Sequence, residues 1–259
     1  MTSLAVVLAI VIGLSLGLLG GGGSALTVPV FVYLLQMTPK EAIAASLVVV
    51  GTTSLLGAVI HGREGNVRLR VAATVGLFTM AGAYGGAALA SLLSGAAQLG
   101  VFGVLLLISA AAMLRRETCD AQQPARPEGR SDHEKLLLLA AQGIGIGLLT
   151  GLVGAGGGFL IVPALVQLAG LSMREAVGTS LAVIAMNSAA GILGYVEHVQ
   201  LEWSVIAAFT VIASIASFAG VRLACSLSQP ALKRGFGFLA GGIGIFILCH
   251  EIAALAHLT

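Results

Sequence analysis

Charge is what this chain has least of. Asp, Glu, Lys and Arg together make up 9% of 259 residues, against 58% hydrophobic residues. A soluble domain carries about 25% charged residues, so this chain cannot coat a water-soluble globule of its length. Aromatics are sparse at 5%, and the net charge of +2 gives no basic surface for nucleic acid. The three cysteines, Cys119, Cys225 and Cys249, have no paired spacing, which argues against a disulfide framework, a metal centre or a bound cofactor. No Asp or Glu falls in the middle of an apolar segment, so a carboxylate proton relay of the usual intramembrane kind is not visible.

What is abundant is glycine, with 36 residues. Small residues let helix backbones approach closely in lipid. The N-terminal apolar stretch resembles a signal peptide in length, but it has neither a basic start nor a small-x-small cleavage site. Its counterpart in the repeat described next lies in mid-chain, so it reads as mature structure.

The chain is internally duplicated. Pro29 falls on Pro163, an offset of 134 residues, and GLLGGGGSALTVPVFVYLLQMTPKEAIAASL then aligns with GLVGAGGGFLIVPALVQLAGLSMREAVGTSL without a gap. The same offset superimposes Ser54 on Ser188, Gly57 on Gly191, Gly86 on Gly220 and Phe102-Gly103 on Phe236-Gly237. Residues 115–135 are polar, rich in charge, and unlike either flank. The organisation is therefore a first transmembrane repeat (1–114), a linker (115–135) and a second repeat (136–259).

Each repeat holds five apolar segments. The last three (42–60, 69–93 and 97–114, then 176–194, 203–227 and 231–250) approach or exceed the roughly 20 residues that span about 30 Å of hydrocarbon. The second (25–36 and 159–170) is too short to cross alone. Either the first two segments form one interrupted crossing, or they fold back as a re-entrant hairpin. Basic residues in short loops stay cytoplasmic. A single crossing splits the 13 Lys and Arg eight to five, whereas a hairpin leaves only Lys40 opposite the other twelve. The hairpin is preferred. The expected fold is an all-α polytopic membrane protein whose halves form an inverted repeat, each with a glycine-broken re-entrant pair plus three spanning helices. Both termini then lie outside the plasma membrane and the linker is cytoplasmic.

The glycine breaks are the candidate site. Gly20, Gly21, Gly22, Gly23 and Ser24, and Gly154, Gly156, Gly157 and Gly158, sit between apolar segments. Irregular backbone at membrane depth is tolerated only where protein or water covers it. The helix after each break offers free N–H groups and the positive end of its dipole, which together form an anion site. The plainer reading is that these glycines only allow a tight turn. The nearby helices add Thr53 and Ser54, matched by Asn187 and Ser188. Asn187 stands out as a substrate contact because a buried amide needs several partners, with a bond to a neighbouring helix as the equal alternative. Interhelical bonding is the simpler role for the hydroxyls, including Ser46, Thr52 and Ser180.

Thr38-Pro-Lys-Glu41 and Ser172-Met-Arg-Glu175 fit capping boxes, which explains both carboxylates more simply than a gating role. Arg222 lies near the predicted cytoplasmic end of its segment, where snorkelling accounts for it. His61, Glu197, His198, His250 and Glu251 read as interfacial, at helix ends or near the C-terminus.

The motif G-x-GGG-x(4)-P at Gly154–Pro163, with its relative GGGGSALTVP at Gly20–Pro29, resembles the TauE/SafE sulfite-exporter family. The resemblance covers essentially the whole chain except the linker. Ser24 departs from the pattern, standing where the third glycine of the triplet is expected. The resemblance implies a membrane transporter for sulfite, thiosulfate or organosulfonates, whose expected partners are that small sulfur anion, the bilayer and, in a homo-oligomer, further copies of the chain.

Two other classes compete. An intramembrane hydrolase with Ser24 as nucleophile needs a base within reach, but the duplicate has Gly158 there and the nearest histidine, His61, sits at a helix end. A membrane assembly or receptor partner without transport has nothing in its favour, since the linker is too short for a docking domain.

Overall fold

The computed structural model describes residues 3–20, 22–90, 92–114, 132–153, 156–167, 169–195, 199 and 201–256, and among them every regular element is helical. In chain order these are α1 (Ser3–Leu19), α2 (Gly22–Pro29), α3 (Pro39–Arg63), α4 (Leu69–Ala90) and α5 (Gly95–Leu114). The second half supplies α6 (Asp132–Val153), α7 (Gly158–Gln167), α8 (Met173–Tyr195), α9 (Trp203–Ser226) and α10 (Gln229–Ala256). Six of them, α3, α4, α5, α8, α9 and α10, are long and apolar enough to cross a bilayer. Helix α6 begins inside the polar stretch assigned to the linker; residues 115–131 of that stretch lie outside the described residues.

Local signals explain where the helices start. Glu41 N donates to Thr38 Oγ1 (3.5 Å) while Thr38 N donates to Glu41 Oε2 (3.0 Å), and Ser172 and Glu175 repeat the exchange at 3.4 and 3.1 Å. Both capping boxes thus form as the sequence predicts. Helix α2 runs into one π-helical turn, Val30–Leu34, directly after Pro29. Pro29 has no N–H to continue the ladder, and a wider turn is one way to absorb that loss.

The two halves interlock rather than stand side by side. Helix α1 packs on α9, and α6 on α4. A Cβ on Gly13 would lie 2.2 Å from Ala213 O, and one on Gly147 would lie 2.1 Å from Thr79 O. These two contacts are the same contact displaced by the repeat offset. Leu47 against Gly191 and Leu181 against Gly57 form a second such pair. Only glycine permits approaches this close, so the interlock follows directly from the glycine content.

The same contacts give helix directions. Along α3, Leu47, Gly51, Gly57 and His61 meet Gly191, Ser188, Leu181 and Gly178 of α8 in turn, so the two helices are antiparallel. Helices α5 and α10 are antiparallel too, with Gly103 against Leu248 and Leu114 against Gly237. Gly13 and Gly17 meet Ala213 and Ser217, so α1 runs parallel to α9. The starts of α9 and α3 share one cavity, lined by Glu202 and Ile206 and by Glu41 and Ala45. Helices α1, α3 and α9 therefore begin on one face, and α2 returns the chain to it. The chain folds back between α1 and α2, with Gly23 against Leu16 and Ile12.

Candidate functional site

Both glycine turns press against α8. Gly20 has φ 63°, and a Cβ there would stand 3.0 Å from Ser180 Oγ and 3.2 Å from Val177 Cγ1. Gly156, also at φ 63°, would place a Cβ 3.1 Å from Ser188 Oγ and 3.0 Å from both Ile184 and Val50. Side chains rarely adopt this backbone conformation and would fill the space besides. Gly21 and Gly154 lie outside the described residues.

Gly23 and Gly157 do something different. Each faces the helix before its turn, with Leu16 N 2.4 Å and Thr150 Cγ2 2.2 Å from the position of an added Cβ. They hold the hairpins shut. Gly22 and Gly158 open α2 and α7. Ser24 is buried within α2 and already engaged.

The polar residues of α3 and α8 divide into two groups. Ser46, Thr52, Thr53 and Ser180 donate to carbonyls of their own helices at 2.7–2.8 Å. These bonds stay within one helix, so the hydroxyls satisfy their own backbone rather than bonding between helices as expected. Asn187, Ser188 and Ser54 behave otherwise: all three are buried, and the Asn187 amide nitrogen and oxygen and both serine hydroxyls have no protein partner. An unpaired buried polar group costs about 1–3 kcal/mol, so clustering them calls for a reason. Ser188 meets Gly51 of α3, one turn before Ser54. Asn187 follows Ser180 by seven positions and Ile184 by three, which puts it on the face of α8 that meets both glycine turns.

The two mouths differ in charge. On the face where α8 begins, Arg68 donates to Glu175 Oε1 from Nε (2.8 Å) and Nη2 (2.5 Å), and Arg68 N donates to Thr179 Oγ1 (3.0 Å). The repeat offset carries Arg68 onto Glu202 and Glu175 onto Glu41. On the opposite face these two carboxylates line a cavity of about 200 Å³ with Gln36. Gln36 holds φ 55° where its counterpart is Gly170 at φ 63°. A neighbouring cavity of about 480 Å³ is lined by Tyr33, His250 and Glu251 among others; Tyr33 Oη donates to Glu251 Oε1 at 3.0 Å and its ring lies 4.4 Å from that of His250.

Sequence reasoning placed several residues differently. His61, read as interfacial, is buried at 2% exposure, because the α3–α4 loop folds over α8 and brings Asn66 O and His61 against Gly178. Glu175 is both a cap and an ion-pair partner. Nothing local in the sequence announces Arg68, 107 positions away. Arg222 is exposed, with its guanidinium 4.5 Å from the Phe218 ring centre, in keeping with a snorkelling side chain. Glu197 and His198 lie outside the described residues.

Six helices long and apolar enough to cross a bilayer, with a buried polar cluster beside the glycine turns, define a multi-pass membrane protein. The family model described as sulfite exporter TauE/SafE matches residues 5–247, and the chain belongs to that family. A "Probable membrane transporter protein" of Xylella fastidiosa (strain 9a5c) is 31% identical over 247 residues, covering 94% of each chain. Others similar to it include one of Bacillus subtilis (strain 168), 25% identical over 92% of this chain and 96% of its own. A third, from Methanocaldococcus jannaschii, is 26% identical over 93% and 94%. No solved structure matches the chain.

Proposed function

We propose that this protein is a secondary transporter or facilitator that moves a small anion, sulfite or a related sulfur oxyanion or organosulfonate, across the cytoplasmic membrane. The observation that carries the reading is Asn187, a buried amide with both polar atoms unpartnered beside two glycine turns that start helices. Amide and hydroxyl donors with helix N-termini form an anion site that needs no cofactor. Family membership and the names of the relatives support transport, and the family's description supports a sulfur anion.

The antiparallel course of α3 with α8 and of α5 with α10 supports a duplication inverted across the bilayer. With the arginine-bearing face cytoplasmic, both termini and the Glu41–Glu202 cavity are outside. An anion leaving a cell that is negative inside gains about 2.3 kcal/mol per charge per 100 mV, so export needs no coupling ion.

The test is flux in liposomes holding the purified chain, with sulfite, thiosulfate, sulfate, sulfoacetate, taurine and chloride offered in turn. Saturable flux of a sulfur anion that loses about tenfold or more in Asn187→Ala and stops when the potential is collapsed is the expected result. Unchanged flux in Asn187→Ala sinks the site. Flux of chloride alone sinks the sulfur assignment.

A further inference from the structure

We infer that the site between the glycine turns takes singly charged oxyanions and rejects doubly charged ones, so that hydrogen sulfite and simple sulfonates fit it while sulfate, thiosulfate and sulfoacetate do not. This rests on the anion-site reading above and narrows it to a charge class. The argument begins with the buried side chains. Among the described residues the buried polar ones are Ser, Thr, Asn, Gln and one His; no buried Lys, Arg, Asp or Glu is present. The His is His61, at the far end of α3 against Gly178 rather than beside Asn187. Positive potential at the site therefore comes from backbone.

That supply has a definite size. A helix N-terminus is equivalent to roughly half an elementary charge. Two helices, α2 and α7, begin beside α8, and they touch one another. Their turns meet α8 at Val177–Ser180 and at Ile184–Ser188, within about three helical turns along it. Two half-charges balance one negative charge. A second negative charge has no counterpart, and in a site without cationic side chains it remains uncompensated where water is scarce.

Asn187 sets the orientation of the bound anion. Its Nδ2 group donates two hydrogen bonds without adding charge, and its neighbour Ser188 adds a third donor. The matching position in the first half is Thr53, whose hydroxyl is already bonded to Val49 O and Val50 O at 2.7 and 3.1 Å. At this pair of positions the second half alone offers a free amide, and the anion is held from one side of the site.

The experiment compares methanesulfonate with sulfate, which are close in shape and differ by one charge, using the full chain in liposomes at one pH. The expected result is saturable methanesulfonate flux and a sulfate response weaker by at least about a hundredfold. Asn187→Asp, nearly isosteric, should remove methanesulfonate flux by placing a negative charge where the anion sits. Equal handling of sulfate and methanesulfonate overturns the charge rule while leaving the transporter reading standing. Undiminished methanesulfonate flux in Asn187→Asp overturns the role of Asn187. No saturable flux of any anion, sulfite included, overturns both this inference and the function it rests on.

Discussion

Arg68 and Glu175 join the two halves of the molecule through Nε and Nη2, at 2.8 and 2.5 Å from one carboxylate oxygen. The repeat places Glu202 and Glu41 at the equivalent positions of the opposite mouth. One mouth is thus clasped by opposite charges and the other lined by like charges.

Breaking the clasp should loosen one face selectively. The side chains of Arg68 and Glu175 are 59% and 23% exposed, and an exposed pair contributes only about 0.2–1 kcal/mol. Arg68→Ala should leave Tm nearly unchanged while increasing thiol-reagent access to a cysteine introduced at Thr179. The increase should be reproduced in the parent cysteine variant at high ionic strength. Equal access with and without Arg68 would show that the pair is decorative.

Replacing Asn187 tests a conflict between stability and use. Asn187→Leu removes two buried polar atoms that lack partners, so thermal stability should rise by about 1–3 kcal/mol while flux falls. A drop in Tm would mean that the amide is held by bonds within the folded chain, and the site would lose its main support.

Glycines should separate by what faces them. Gly13→Ala sets a methyl 2.2 Å from Ala213 O and must push α1 off α9, whereas a methyl at Gly85 or Gly242 meets nothing within 4 Å. The first variant should reduce Tm markedly. Gly85→Ala and Gly242→Ala should be neutral or gain up to about 1 kcal/mol from helix propensity, read by thermal unfolding in detergent. A destabilised Gly85→Ala would point to a surface that another copy of the chain covers.

Orientation can be read chemically. In a cell, Glu202→Cys should react with a membrane-impermeant thiol reagent from outside, and Glu64→Cys only after permeabilisation. Reaction of both from the same side would make the α6–α7 pair a single crossing.

Much of this molecule is written in local pattern. Hydrophobic run lengths mark the six long helices, the offset of 134 residues marks the duplication, and S/T-x-x-E marks the starts of α3 and α8. The expectation of a hairpin rests on Lys40 standing apart from the other basic residues, because charge distribution records which loops share a face. Contacts between distant elements leave no such trace. Arg68 finds Glu175 and Tyr33 finds Glu251 only after folding. The burial of His61 depends on a loop closing over another helix. Within the glycine breaks, composition could not separate Gly20 and Gly156, which face α8, from Gly23 and Gly157, which lock the hairpins. The deciding quantity is the direction of a missing side chain.

The exchange of α1 and α6 between halves also bears on how the chain can be made. Helix α1 leaves the ribosome well before the surface it packs on, because α9 begins only at Trp203. Until then α1 is held by α2 and by a smaller contact with α3. The glycine turn of the first half rests on α8 of the second, at Val177 and Ser180, so the first half alone would leave that turn uncovered.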